Sequence, residues 1–249
     1  MPLKSTPIEP ASLFRLRLLA WFRRHGRDLP WRRTRDPYQV LVSEFMLQQT
    51  QVARVESYYG RFLGSFPTVE ALARARPARV REAWDGLGYY RRAANLHRLA
   101  RDVMRDHGGR IPDDVGLLRQ LPGIGPYTAG AVASFAFEHA VPAVDTNVAR
   151  VLRRAFHPRA GRNAAGERKL WAVAAKMHST RGPRAWAINQ ALMELGATIC
   201  TARIAKCGIC PVATACLTGK QRQRSTVNGQ REKPREKKDP ARGAGTVDR

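Results

Sequence analysis

Two carboxylates and four cysteines stand where their surroundings suit them to chemistry. Glu44 lies in Val40-Leu41-Val42-Ser43-Glu44-Phe45-Met46-Leu47. On a helix it shares a face with Val40, Leu41 and Leu47. A carboxylate on an apolar stripe is costly unless it is paired or protonated. Burial raises its pKa and makes it a proton donor near neutral pH; the alternative is a structural ion pair with one of the many arginines. Asp145, in Ala143-Val144-Asp145-Thr146-Asn147-Val148, reads first as a helix N-cap. The cap does not exclude a second role, because a carboxylate held by backbone N–H groups is suited to face a developing cation. The cysteines follow the spacing Cys200-x6-Cys207-x2-Cys210-x5-Cys216. Their crowding, in a chain whose N-terminus lacks the apolar core of a signal peptide, points to a metal site over disulfides. Zinc and an iron–sulfur cluster both satisfy four thiolates, and this chemistry alone does not choose between them.

The elements that must hold these groups read as helices. Asp36-Pro37 is an N-cap followed by a first-position proline, opening a helix to about Gln48. Leu13, Leu16, Leu19 and Ala20 recur at helical spacing ahead of Gly26. Further helices are expected near 69–76, 78–84, 90–107, 113–120, 126–138, 146–155, 168–178 and 184–198, and no hairpin or alternating strand pattern is found. The stretch Leu121-Pro122-Gly123-Ile124-Gly125-Pro126-Tyr127-Thr128-Ala129-Gly130 reads as helix, tight turn, helix. Gly123 and Gly125 are expected to adopt backbone conformations closed to other residues. Free N–H groups at the turn and at the new helix N-terminus would cradle a phosphate. A glycine C-cap between two core helices is the plainer reading of the same residues.

The formal charge of +24 on 249 residues favours a polyanionic partner, nucleic acid before an acidic membrane surface. Residues 217–249 account for only +6 of it, which leaves +18 on the body of the chain. No apolar run is long enough to span a bilayer. The expectation is a cytoplasmic protein, associated with the nucleoid when bound to DNA, and monomeric.

The hairpin string, the Ser43–Val52 run with its Met46-Leu47-Gln48-Gln49-Thr50-Gln51-Val52 segment, Trp84-Asp85-Gly86-Leu87-Gly88-Tyr89-Tyr90 and Asp145-Thr146-Asn147 resemble the MutY-type adenine DNA glycosylases. These belong to the helix-hairpin-helix superfamily that also contains endonuclease III, and the resemblance spans about residues 12–217. It implies a base-excision-repair enzyme that hydrolyses the N-glycosidic bond of adenine mispaired with 8-oxoguanine or guanine in double-stranded DNA. It implies that Glu44 protonates purine N7, that Asp145 stabilises the oxocarbenium-like sugar, and that Asn147 belongs to the same catalytic motif. Gln49 matches a residue wedged into the gap left by the flipped base; Trp31, Arg32 and Gln190 match adenine-pocket positions, and Tyr89 one that approaches the opposite base. Gly123, Gly125, Tyr127 and Thr128 fall on the DNA-binding hairpin. Tyr127 stands where bifunctional relatives carry a Schiff-base lysine, so a monofunctional enzyme is expected. The cysteine spacing resembles that of a [4Fe-4S] cluster loop, whose Arg203 and Lys206 would face DNA phosphate.

The implied fold is all-α. A helical bundle is expected over 29–140, with the helix-hairpin-helix at about 113–138. A cluster domain is expected from 1–28 plus 141–217, and a disordered basic tail from 218 to 249. Family members usually continue into a domain that helps recognise 8-oxoguanine, so the expectation is a glycosylase without it. Short relatives that remove thymine or uracil opposite guanine also carry a hairpin tyrosine and an aspartate like Asp145. They tend to have Arg-Arg-Thr at Gln48-Gln49-Thr50, and they define the second reading. The third is a non-catalytic DNA-binding module.

Overall fold

The computed structural model describes residues 10–178 and 182–229. Twelve α-helices follow one another among them: α1 Pro10–His25, α2 Pro37–Leu47, α3 Val52–Ser65, α4 Val69–Arg74, α5 Pro77–Ala83, α6 Arg91–Asp106, α7 Val115–Leu118, α8 Pro126–Phe135, α9 Thr146–Phe156, α10 Ala164–Met177, α11 Pro183–Thr198 and α12 Leu217–Gly229. An isolated bridge between Cys200 and Ala205 is the only extended pairing among the described residues. The architecture is all-α, as the sequence implies.

Local chemistry sets the helix starts. Asp36, Thr68, Asp114, Asp145 and Asn163 each accept a hydrogen bond from the backbone N–H three residues on. Such caps contribute about 1 kcal/mol each. Pro37, Pro77, Pro126 and Pro183 occupy first-turn positions that need no N–H donor.

Two apolar cores form. The first gathers α2 to α8, from Leu29 to Ala143, around Leu41, Phe45, Phe62, Trp84 and Leu96. The second joins Phe14 and Leu18 of α1 to α9, α10, α11 and the cysteine segment. Helix α11 serves both, with Trp186 and Met193 against the first core and Ile188, Ala191, Leu192 and Leu195 in the second. Asn189 fastens the junction. Its carboxamide accepts from Ala143 N–H at 3.0 Å and donates to Ser134 Oγ and Val141 O, both at 2.9 Å.

Three sequence expectations change. Helix α3 has no counterpart in the sequence reading, although Val55, Tyr59 and Phe62 recur on its buried face. Gly125 sits at φ −92°, ψ 179°, open to any residue, so only Gly123 of the hairpin pair needs glycine's conformational freedom. The basic tail begins as helix α12 rather than as disordered chain. Gly219 lets it lie directly on Ala213, and Thr218 Oγ1 donates to Arg154 O at 2.7 Å. Residues 230–249 of the expected tail lie outside the described residues, as do 1–9 of the expected cluster domain.

Candidate active site

A cleft of about 1340 Å³ runs between the two cores, with Leu29, Trp31 and Phe135 on one wall and Val144 and Ala149 on the other. It exceeds the ~300–1,000 Å³ of a small-molecule site and has room for a segment of a polymer. Glu44 and Asp145 both line it.

Glu44 reaches the cleft from α2, whose apolar neighbours leave it 4% exposed. Burial pushes its carboxyl up to about 7; the Tyr127 hydroxyl acts against this shift, and the Asp145 charge adds to it. The ion pair with arginine, the alternative raised by the sequence, is absent among the described residues, and Oε2 has no partner there. Tyr127 enters from the first turn of α8 and is half-buried, its hydroxyl 4.0 Å from Met193 Sδ. Burial, then the charges of Glu44 and Asp145, hold its phenol well above the ordinary range, so it stays a neutral donor.

Asp145 is the N-cap of α9. Its Oδ1 accepts from Val148 N–H at 2.6 Å and its Oδ2 from the Asn147 carboxamide at 2.9 Å. Asn147 is fixed in turn by Arg150, whose guanidinium also donates to Gly196 O and Cys200 O, each at 2.8 Å. The carboxylate is thereby tied through Asn147 and Arg150 to the first cysteine. Gly196 permits this, because a Cβ there would lie 2.8 Å from Asn147 Cβ.

Trp31, Arg32 and Gln190 converge on the same cleft. Arg32 donates to Gln190 Oε1 at 2.7 Å, to Glu194 Oε2 at 2.8 Å and to Arg27 O at 2.9 Å. Glu194, 1% exposed, also binds Arg27 at 2.6 Å. The two guanidiniums hold its carboxyl below the usual range despite burial. Glu194, Arg27 and Arg150 were not singled out in the sequence. Glu194 carries the same signal as Glu44, an acid on an apolar helix face, whereas the arginines offer no such pattern.

Gln49 lines the cleft and is exposed at its rim. Tyr89 lies outside the cleft lining and is 62% exposed. Both take left-handed backbone, at φ 57° and 46°. In the hairpin, Gly123 has φ 80°, and an added Cβ would lie 2.9 Å from Phe45 and 3.0 Å from Asn95. Gly125 caps α8 with open space where a Cβ would go. The first turn of a helix leaves its N–H groups without intrahelical acceptors, here those of Tyr127 and Thr128. Thr128 as a whole is 3% exposed. Arg203 and Lys206 are exposed on the cysteine segment, and Lys206 Nζ donates to Thr198 O at 3.3 Å.

Cys200, Cys207, Cys210 and Cys216 are all free and line one largely apolar cavity beside Phe14, Val151 and Leu195. Among the described residues no three ligating groups close on a point fit for a single ion. The donor set nonetheless suits a sulfur-ligated group. Arg154 approaches Cys200 Sγ at 3.3 Å, and Gly219 N–H donates to Cys216 Sγ at 3.4 Å. No helix among the described residues is long and apolar enough to cross a membrane.

Helices enclosing a glycine hairpin, with two carboxylates facing one cleft, define a class, and the family comparison agrees. Residues 42–176 match the HhH-GPD superfamily of base excision DNA repair proteins, to which this chain belongs. It is 50% identical over 198 residues to the adenine DNA glycosylase of Mycobacterium tuberculosis strain H37Rv, covering 78% of this chain and 64% of that one. The adenine DNA glycosylase of Homo sapiens is 43% identical over 84% of this chain and 40% of its own. Among solved structures, a thermostable thymine-DNA glycosylase superposes with a TM-score of 0.78 at 30% identity, over 85% of this chain and 97% of that one. A DNA-trapped endonuclease III shares the fold at a TM-score of 0.68 and 24% identity, over 84% and 95%.

Proposed function

We propose that the protein is a monofunctional adenine DNA glycosylase of base excision repair, acting on adenine opposite 8-oxoguanine or guanine in double-stranded DNA. The observation that carries this reading is Glu44, a buried carboxyl at about 7 that shares a cleft with the capped carboxylate of Asp145. High identity to adenine DNA glycosylases supports it.

A base in a duplex must be turned out of the stack before its glycosidic bond can be reached. The flipped adenine rests among Trp31, Arg32 and Gln190, with Gln49 filling the gap it leaves and Tyr89 approaching the opposite base. Glu44, protonated in about half of the molecules near neutral pH, donates its proton to N7. The C1′–N9 electron pair then leaves with the neutral base. Asp145 faces the cationic sugar, and Asn147 keeps its carboxylate in place. Water adds to C1′ and its proton returns to Glu44, restoring the acid. Tyr127 offers no amine for a Schiff base, so the strand is left uncut.

The backbone donors of the hairpin around Gly123 and Gly125, with Tyr127 and Thr128, take up phosphate, and Arg203 and Lys206 add exposed cations. Cys200, Cys207, Cys210 and Cys216 would hold a [4Fe-4S] cluster, whose contribution is to pin the segment carrying Arg203 and Lys206. Four free thiols lining one cavity are a donor set that suits a sulfur-ligated group. Iron and sulfide in about equal amounts in purified protein are expected; stoichiometric zinc would overturn that assignment.

The second reading, removal of thymine or uracil opposite guanine, is favoured by the likeness to the thymine-DNA glycosylase structure. A pyrimidine has no N7 for Glu44 to protonate. Single-turnover base release on A:8-oxoguanine, A:G, T:G and U:G duplexes separates the two. Release of adenine alone is expected, and release of only thymine or uracil would overturn the proposal.

A further inference from the structure

Arg92, at the start of α6, takes no part in the chemistry above, yet it is 7% exposed and has no carboxylate partner among the described residues. Its two terminal nitrogens instead donate to five backbone carbonyls. Three lie at the end of α2: Phe45 O at 3.0 Å, Met46 O at 2.7 Å, and Gln48 O. The other two belong to the loop before α6, Leu87 O at 3.0 Å and Gly88 O at 3.1 Å. The guanidinium also lies 5.5 Å from the ring centres of both Trp84 and Tyr89.

A buried cation without a counter-ion is costly. The carbonyl end of α2, carrying partial negative charge, offsets part of that cost. What the arrangement fixes is the relation between two turns. Two of the carbonyls it binds, those of Gln48 and Gly88, immediately precede Gln49 and Tyr89, which are two of the three non-glycine residues with positive φ among the described residues. Left-handed backbone at such residues persists only where its surroundings over-determine it. A planar guanidinium has the span to do this from both sides; an ammonium, a point donor on a flexible stem, does not.

We propose that Arg92 is a positioning residue that locks the Gln49 turn and the Tyr89 turn into one unit, so that the two side chains enter DNA together. The proposal rests on the reading of Gln49 and Tyr89 as DNA-contacting residues.

The test is Arg92→Lys, which keeps the charge and loses the span. In DNA-free protein, amide hydrogen exchange over residues 47–51 and 86–90 should rise together while the rest of both cores keeps its protection. A rise in only one segment, no rise, or a rise throughout the first core overturns the proposal. That readout needs no enzymatic activity, so it decides the matter even if wild-type protein releases no adenine, an outcome that would instead sink the functional reading. Where wild type is active, Arg92→Lys should lower single-turnover release at saturating A:8-oxoguanine duplex by about 10- to 100-fold. In a Gln49→Ala/Tyr89→Ala background the same substitution should add no further loss. A loss that multiplies fully with the double variant would mean that Arg92 acts elsewhere.

Discussion

Replacing Glu44 with glutamine removes an ionisable group without changing its shape, and the structure sets the size of the effect. The carboxyl is lifted from 4.5 to about 7, chiefly by burial. It therefore holds its proton more tightly in the folded chain than in the unfolded one. The resulting stabilisation is fully present below about 4.5 and is lost as pH rises through about 7. At 1.36 kcal/mol per pKa unit, the loss between those limits is on the order of 3 kcal/mol. Glutamine has no such loss. Urea unfolding of wild type and Glu44→Gln at pH 5 and pH 8 should show the variant gaining about 3 kcal/mol relative to wild type at the higher pH. Single-turnover adenine release should fall through pH 7 in wild type and drop by about 10²- to 10⁴-fold in the variant. Parallel pH–stability curves for the two proteins would refute the argument, because they would mean that Glu44 does not change its proton affinity on folding.

Asp145→Asn keeps a good N-cap, so stability should change by about 1 kcal/mol or less, while base release falls by at least about 10²-fold and duplex affinity persists. Lost DNA binding, read by fluorescence anisotropy, would recast Asp145 as structural only. Tyr127→Lys places an amine in the cleft beside Glu44 and should yield a protein–DNA adduct on borohydride trapping; its absence, with base release intact, would show that the amine cannot reach the sugar. Gly123→Ala combines a φ of 80° with a Cβ 2.9 Å from Phe45. Thermal melting should report a loss of about 1–3 kcal/mol, and duplex affinity should fall with it.

What the sequence made legible is what depends on nearby residues. The caps at Asp36 and Asp145, the prolines that open α2 and α8, and the burial of Glu44 all follow from neighbours within a turn of helix. Helix α3 was obscured because Gly60 and Gly64, weak helix formers, interrupt it; both face open space, and Val55, Tyr59 and Phe62 hold the helix by tertiary packing. Gly125 departs from the expectation because glycine is tolerated wherever a backbone is exposed, not only where φ is positive. The carbonyl contacts of Arg92, the Asn147–Arg150 link and the Arg27–Glu194–Arg32 group stayed hidden for a different reason. Their partners lie up to 167 residues away, and an arginine bound to carbonyls or to a distant acid leaves no periodic trace.

The two carboxylates reach one cleft from different cores, Glu44 from the first and Asp145 from the edge of the second. A chain with only one half folded holds at most one of them. On the proposed chemistry such a chain can neither protonate a base and shelter the sugar in one place, nor cut loose a base by accident during synthesis or partial unfolding. On that proposal the structure itself amounts to an interlock, because the two carboxylates face one cleft where α11, with Asn189, packs against both cores.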